Sequence, residues 1–533
     1  MSLISKSWKV AASTVVVLLA TGCTSAPQEA NNSADGSTPR EGGDITSFLS
    51  SDPATLDPAM ISGYDQTLVA INVLEGLFRV SADGTRVDAA LAESATPSED
   101  GLTWAITIRP STFQDGSPVT ADDVKFSFER LVDPDTISPR GSMLDVVAGA
   151  VEFRGGNADG IAGIRAISEN EIEIELVAPY APFTALLASP NLAIVPRAAV
   201  EADPENFGKN VISAGPFRVS DWKVNQSVTA TAFDDYWNGR PYLDSVTWQV
   251  IPDENTRIVE FEANALDVTW LPPASYTRYM SDDAWTPNIL RANTLHTEML
   301  AVNMDRPLLG GSLDLRKAIC MGVDRAAAIA SLQDRATAAF ALLPESLEGD
   351  NTTEACAADP DAAAEVIADS GIAGKTVEMI SPNWPNLVKT LELYQANLKE
   401  LGLGVELIPL EFAQYQARVD EGDFDLAWTY RVPDFIDADS FLTPLLASDR
   451  IGFGNAARYT NSDVDEWLAQ ARSSMDDAER SSLYGEINAQ VMSELAYIPL
   501  LHNVWVDIHQ PRVRDYTPSA MDMHDFSKVW LSE

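Results

Sequence analysis

Few residues of this chain have the type and spacing that catalysis or metal binding would require. The 533 residues include the cysteines Cys23, Cys320 and Cys356 and the histidines His296, His502, His509 and His524. Their spacing matches no zinc or haem site. The chain also lacks a phosphate-binding glycine loop, a Gly-x-Ser-x-Gly elbow and a His-Glu-x-x-His pair. The residues therefore favour a binding protein without metal or cofactor over an enzyme.

Charge and composition narrow the class of partner further. Asp and Glu outnumber Lys and Arg by 79 to 36, which gives a formal net charge of −43. Such a surface repels a phosphate backbone, so nucleic acid is excluded as a partner. Hydrophobic residues make up 45% of the chain and charged residues 22%, which is typical of globular domains.

The first residues predict export. Residues 1–22 combine a positive start at Lys6 and Lys9 with a short apolar stretch, as signal peptides do. The tetrad from Ala20 to Cys23 resembles the lipobox of bacterial lipoproteins, whose cysteine carries the lipid. A plain secretory signal with an incidental cysteine is the alternative, and both readings place the protein outside the cytoplasm. Residues 23–41 are rich in small polar residues and predict a flexible tether.

Cys320 and Cys356 are the two thiols that remain if Cys23 is lipid-modified. An exported compartment permits their oxidation, and a disulfide would constrain the unfolded chain by roughly 3–4 kcal/mol. We predict a disulfide here. Two separately packed, buried cysteines are the alternative, because Cys320 lies in a predicted helix.

The elements between residues 376 and 430 predict a parallel sheet. Strands over 377–380, 405–410 and 424–428 alternate with helices, the first of them over 386–401. Ligands of such sheets bind beyond the carboxyl ends of the strands. This rule points to the segment 381–384 and to the residues after Trp428.

Several motifs then appear in a fixed order over about 42–515. They include Ser51–Pro58, Gly101–Trp104, Phe113–Val124, Ala214–Arg218, Asp235–Pro241, Leu315–Ala318 and Ile498–Leu500. Together they resemble the family 5 solute-binding proteins, the receptors of peptide-type and nickel-type ABC importers. From the residues themselves, Gly116 predicts a tight turn and Thr120 a helix N-cap. Arg316 and Arg325 are interpreted as helix-surface or ion-pair groups rather than ligand contacts.

The resemblance implies a three-lobed α/β fold of the type II periplasmic-binding-protein kind, with a cleft between two mixed-sheet lobes and hinge strands. Lobe I would comprise 42–75, 181–297 and 500–533, the inserted lobe II 76–180, and lobe III 298–499. The implied function is a lipid-anchored, monomeric, extracytoplasmic receptor that captures di- or oligopeptides and delivers them to permease subunits in the membrane. The alternative is the same fold with an oligosaccharide, a metal chelate or an opine as ligand.

The resemblance and the strand ends together suggest residues that line the cleft. They are Gly63, Tyr64, Arg140, Trp384, Trp428 and Tyr430. Arg140 lies where related peptide receptors often have an aromatic residue, and its guanidinium is suited to a bidentate grip on a ligand carboxylate. A solvated loop arginine is the alternative.

The same resemblance places Asp434 where peptide receptors bind the α-amino group. A receptor for peptides of many sequences needs such a fixed contact, because only the main chain and termini are constant features of its ligands. We therefore expect a buried anion here. Asp437 and Asp439 are alternative pocket acids, and an acid in this loop is otherwise a turn former or a helix N-cap.

Overall fold

The computed structural model describes residues 38–347, 356–372 and 375–533. The predictions for the signal peptide, for Cys23 and for most of the tether concern residues outside these ranges. In the described part, no helix combines the length and the hydropathy that crossing a bilayer requires. Residues 39–533 form one unit.

The strands and helices alternate irregularly along the chain. The strands are β1 (Asp44–Leu49), β2 (Phe78–Val80), β3 (Val87–Ala89), β4 (Ala92–Pro97), β5 (Thr103–Ile108), β6 (Ile164–Ala166), β7 (Glu171–Glu175), β8 (Phe217–Lys223), β9 (Ser227–Ala232), β10 (Ser245–Val250), β11 (Val268–Trp270), β12 (Ile289–Val302), β13 (Ala336–Ala338), β14 (Thr376–Pro382), β15 (Gly404–Leu410), β16 (Leu426–Arg431), β17 (Tyr497–His509), β18 (Val513–Arg514) and β19 (Trp530–Leu531).

The helices are α1 (Tyr64–Val73), α2 (Ala121–Val132), α3 (Ala150–Arg154), α4 (Phe183–Leu186), α5 (Arg197–Ala202), α6 (Glu254–Glu262), α7 (Pro273–Met280), α8 (Leu313–Gly322), α9 (Arg325–Ser331), α10 (Pro360–Asp369), α11 (Pro385–Glu400), α12 (Phe412–Glu421), α13 (Ala438–Leu446), α14 (Ser462–Ser473) and α15 (Asp477–Glu494).

Three larger sheets organise these elements, and β2-β3 and β18-β19 form two further sheets of two strands each. The first has the strand order β1-β10-β9-β8 and the second β4-β5-β7-β6. The third has the order β11-β17-β12-β16-β14-β15, with β13 added to β17. Separate hydrophobic clusters surround the three sheets. The lobe boundaries drawn from the sequence stay a prediction.

The predicted parallel unit is confirmed within the third sheet. Strand β14 pairs in parallel with both β15 and β16, and α11 and α12 form the connections. Helix α11 begins at Pro385, which is favoured in a first turn because proline lacks the amide hydrogen. Strand β16 begins two residues later and extends three residues further than the sequence predicts, because it pairs with β12 along its whole length.

Two long antiparallel strands join the hydrophobic core of the third sheet to a separate cluster. The N-terminal end of β12 and the C-terminal end of β17 pack in the smaller cluster with Phe48 and Phe261. Their other ends pack in the core of the third sheet. The register between the two strands shifts between Asn293 and Thr297 and again between Glu298 and Met299. Such irregularities redirect side chains, often next to functional sites.

The structure joins Cys320 of α8 to Cys356 by a disulfide, with the two Cα atoms 5.1 Å apart. Thr120 caps α2 with its side chain, as expected.

The interpretation of Arg316 and Arg325 as helix-surface or ion-pair groups was wrong, since both side chains are buried. Their guanidinium groups donate to backbone carbonyls, including Leu309 O and Cys320 O, and so cross-link chain segments rather than form surface ion pairs.

Candidate functional site

A cavity of about 650 Å³ lies where the carboxyl ends of the parallel strands meet residues from α1 and from the loop before Gly141. Its lining includes Tyr64, Arg140, Trp428 and Tyr430. The structure therefore brings together four of the residues singled out in the sequence, although they are up to 366 positions apart in the chain.

Phe412, Trp428 and Tyr430 line one side of the cavity. Trp384 lies outside the lining but packs on two of these rings, and the four residues are here called the aromatic wall. Trp384 stacks on Phe412 at 5.9 Å between ring centroids and meets Trp428 edge-on at 5.8 Å. Tyr430 lies 5.5 Å from Trp428. Three of these rings are more than one-third exposed, which costs free energy unless a ligand or partner covers them.

Local structure explains why these rings converge. Trp384 follows β14 and Phe412 follows β15, and the carboxyl ends of parallel strands meet at one edge of a sheet. Trp428 and Tyr430 are two positions apart in β16, so both side chains point to the same face. Phe412 was missed in the sequence, although its place directly after a strand of the parallel unit is the same signal that identified Trp384.

Arg140 supplies the cavity with a cation that the described residues leave uncompensated. The residue is exposed, and none of the described side chains or carbonyls forms an ion pair or hydrogen bond with its guanidinium. Only its backbone is engaged, with the amide donating to Ser138 Oγ at 3.1 Å. A planar group with free N–H donors can bind a carboxylate with two parallel hydrogen bonds.

Tyr64 also lines the cavity, while Gly63 acts indirectly. Gly63 is the N-cap of α1, does not belong to the cavity lining, and positions the helix that carries Tyr64. The Tyr64 hydroxyl donates to the backbone carbonyl of Asp522 at 2.8 Å. This bond ties α1 to the C-terminal segment and fixes the orientation of the ring.

Comparison with known proteins shows which family this chain belongs to. Residues 86–453 match the family model of bacterial extracellular solute-binding proteins, family 5, middle region. The chain belongs to this family. Its members are binding receptors rather than enzymes, and they act outside the cytoplasm.

Individual relatives cover nearly the whole chain. The di/tripeptide-binding protein 2 of Pseudomonas aeruginosa is 28% identical over 90% of this chain and 93% of the relative. Heme-binding protein A of Haemophilus influenzae is 27% identical over 90% of each chain. The unliganded open form of the periplasmic murein tripeptide binding protein MppA superimposes with a TM-score of 0.83 at 23% identity, covering 92% of this chain and 98% of that one.

Asp434 of this solute-binding protein does not meet the expectation of a buried anion. Its side chain is 55% exposed, it is ion-paired with Arg431 at 2.9 Å, and it does not belong to the cavity lining. The physical reason is the loop after β16, in which Arg431 turns back to bind both Asp434 and the carbonyl of Ser440. A ligand ammonium would have to displace this arginine from its carboxylate.

The two alternative acids, Asp437 and Asp439, have structural roles. Asp437 is the N-cap of α13 and pairs with Arg480 at 2.6 Å, with both side chains buried. Asp439 pairs with Arg472 at 3.1 Å and accepts a hydrogen bond from Thr443. Because both acids already have cationic partners, neither offers a free charge to a ligand.

Glu298 is an acid behind the aromatic wall that sequence reasoning missed. It lies directly opposite Tyr430 in the antiparallel pair of β12 and β16, so the two side chains share one face. The indole Nε1 of Trp428 donates to its carboxylate at 3.2 Å. Burial raises the pKa of Glu298 above its usual value, with hydrogen bonds from Trp428 and Asn503 acting in the opposite direction.

The polar residues around Glu298 are uncharged. Burial lowers the pKa of both His296 and His502 to about 4, so both rings are neutral at physiological pH. His296 lies 5.0 Å from the Tyr430 ring and its Nδ1 contacts the amide of Asn503 at 2.9 Å. A lone acid within the otherwise apolar run 298–302 is the signal in the sequence that could have identified this position.

Proposed function

We propose that this protein is the receptor of an ABC importer and captures short peptides, from dipeptides to oligopeptides, for delivery to a permease. The cavity is the main support for the proposal, because Arg140, whose guanidinium has no partner among the described residues, lines it together with exposed aromatic rings. A peptide terminus supplies the carboxylate that Arg140 lacks. The side chains of the peptide can pack against the aromatic surface without a sequence-specific contact.

Relatives support a peptide ligand, and the same cavity is consistent with a second candidate. The relative named for di- and tripeptides is 28% identical and the one named for haem is 27% identical, so identity does not separate them. A metal chelate such as haem is therefore the second candidate. The free cation of Arg140 fits the carboxylates of either ligand.

A thermal-shift screen over dipeptides, tripeptides, oligosaccharides and haemin tests the proposal. A ligand at a hundred times its Kd stabilises the folded protein by about 2.7 kcal/mol, which gives a shift of several degrees in Tm. We expect peptides to produce this shift. Stabilisation by haemin or by sugars alone would replace the proposal with the corresponding candidate.

Arg140 provides the matched mutational test. Arg140→Ala is expected to weaken a tripeptide by more than about tenfold, because a charge-assisted bidentate contact is lost. Arg165→Ala is the control, since Arg165 is also exposed but is paired with Glu175 on a separate sheet. Equal Kd values for the two variants in isothermal titration would contradict a role for Arg140.

We propose further that the receptor is tethered to the membrane through a lipid on Cys23. The tetrad that ends at Cys23 supports this, and so does the polar segment after it. Cys23→Ala should move the protein from the membrane fraction to the soluble fraction without changing its affinity for peptides. A variant that stays with the membrane would show that another anchor exists.

A further inference from the structure

Glu298 differs from the three acids that follow β16 because the described residues provide no cation for it. Asp420 of the cavity lining also has no ion pair among them, but it is exposed to water. Asp434, Asp437 and Asp439 are each ion-paired with an arginine. Among the described residues, none forms an ion pair with Glu298, and its contacts are an indole N–H and an amide. A desolvated carboxylate with only neutral neighbours is costly unless a cation is supplied from outside.

The strand geometry explains why the nearest arginine does not fill this role. Arg431 directly follows Tyr430 in β16, and consecutive strand residues point to opposite faces of a sheet. Tyr430 shares the face of Glu298, so Arg431 lies on the other face, where it binds Asp434 and Ser440. The carboxylate therefore stays uncompensated even though a guanidinium is adjacent in sequence.

The surroundings of Glu298 suit a cationic group. The rings of Trp428 and Tyr430 lie next to the carboxylate, and aromatic faces attract ammonium and guanidinium groups. Glu298 is half-buried, and it lies behind the rings rather than in the cavity lining itself, where its hydrogen bond to Trp428 connects it to the aromatic wall. In addition, Nε2 of His296 is buried without a partner in the described part of the chain, which leaves a second polar atom on this strand for a ligand or a water molecule.

We propose that Glu298 is the carboxylate that binds a cationic group of the ligand, either an ammonium or a guanidinium. This inference rests on the proposed peptide function and makes it more specific. Arg140 and Glu298 then bind opposite charges on either side of the aromatic wall, an arrangement that selects a zwitterion. The cation comes from the peptide's α-amino group or from a Lys or Arg side chain, and both present the same chemistry to a carboxylate.

Isothermal titration of three peptides separates these sources: trialanine, N-acetyl-trialanine and N-acetyl-Lys-Ala-Ala. The purified protein is compared with Glu298→Gln and with the control Glu406→Gln, which changes an exposed acid on β15 of the same sheet. We expect Glu298→Gln to bind trialanine more than about tenfold more weakly and Glu406→Gln to bind it normally. Acetylation of trialanine should weaken its binding to the unaltered protein by a similar factor and should hardly change its binding to Glu298→Gln.

A side-chain source of the cation gives a different pattern. Glu298→Gln then weakens only the lysine peptide, and acetylation of trialanine has no effect on the unaltered protein. Equal binding of all three peptides by the unaltered protein and by Glu298→Gln would overturn the inference while the peptide function stands. If the unaltered protein binds none of the three peptides, the proposed function and the inference both fail.

Discussion

The acids at the start of α13 and the acid Glu298 of β12 have opposite roles. Asp437 and Asp439, at the start of α13, are less than a tenth exposed and are ion-paired with Arg480 and Arg472. Glu298, behind the aromatic wall, is desolvated without a cation of its own. The comparison shows that burial alone does not mark a ligand-binding acid, because the charge must also be left uncompensated by the fold.

The largest effect is expected from removing a paired acid. Asp437→Asn keeps an oxygen that can cap α13 but removes the negative charge from a buried ion pair with Arg480. We expect the free energy of unfolding to fall by ~3 kcal/mol, in the range for breaking a buried pair. Urea denaturation measures this change. A loss below ~1 kcal/mol would contradict the view that the ion pair with Arg480 makes Asp437 a structural acid.

The neutral histidines next to Glu298 should make stability depend on pH. Their folded-state pKa of about 4 lies below the ordinary value of 6.5. The unfolded chain therefore binds more protons between these values, and stability falls as pH decreases through this window. The slope is up to ~1.4 kcal/mol per pH unit for each ring. His296→Gln combined with His502→Gln should flatten it in denaturation curves at several pH values, and an unchanged slope would contradict neutral rings.

Glu298→Gln should stabilise the protein without ligand, in contrast to Asp437→Asn. The folded-state pKa of Glu298 is raised above 4.5, so its ionisation costs stability at neutral pH. That cost disappears as pH falls below the unfolded-state value. We expect a gain of ~1 kcal/mol at pH 7 that vanishes near pH 4. A destabilised variant would mean that the carboxylate is satisfied by the fold.

Asp434 should show the smallest effect. Its exposed pair with Arg431 is of a kind that typically contributes less than ~1 kcal/mol. We expect Asp434→Asn to change the free energy of unfolding by less than ~0.5 kcal/mol and the Kd for trialanine by less than about threefold. A large loss of affinity would indicate that Asp434, and not Glu298, binds the ligand ammonium.

The local sequence pattern was sufficient to predict part of the fold, but it did not identify which acid can bind a ligand. The alternation of strands and helices over 376–430 predicted the parallel unit, and the parallel unit placed Trp384 and Trp428 at one edge. Glu298 could not be identified this way, because its neighbourhood depends on the pairing of β12 with β16 and β17, which are more than 120 residues away in the chain. Long-range register is not encoded in periodicity.

The choice among the loop acids was beyond sequence reasoning for a similar reason. Asp434, Asp437 and Asp439 follow one strand within a few positions and are chemically equivalent as residue types. Their partners decide their roles, and two of those partners, Arg472 and Arg480, come from α14 and α15. Helix packing places these arginines, and the spacing of acids in the loop carries no information about it.

A crystal structure of the protein with bound trialanine would show which acid binds the ligand ammonium. We expect the peptide ammonium within hydrogen-bonding distance of the Glu298 carboxylate and the peptide carboxylate on Arg140, with the peptide backbone lying along the aromatic wall. An ammonium bound to Asp434 with Arg431 displaced, or a peptide bound away from Trp428 and Tyr430, would contradict it.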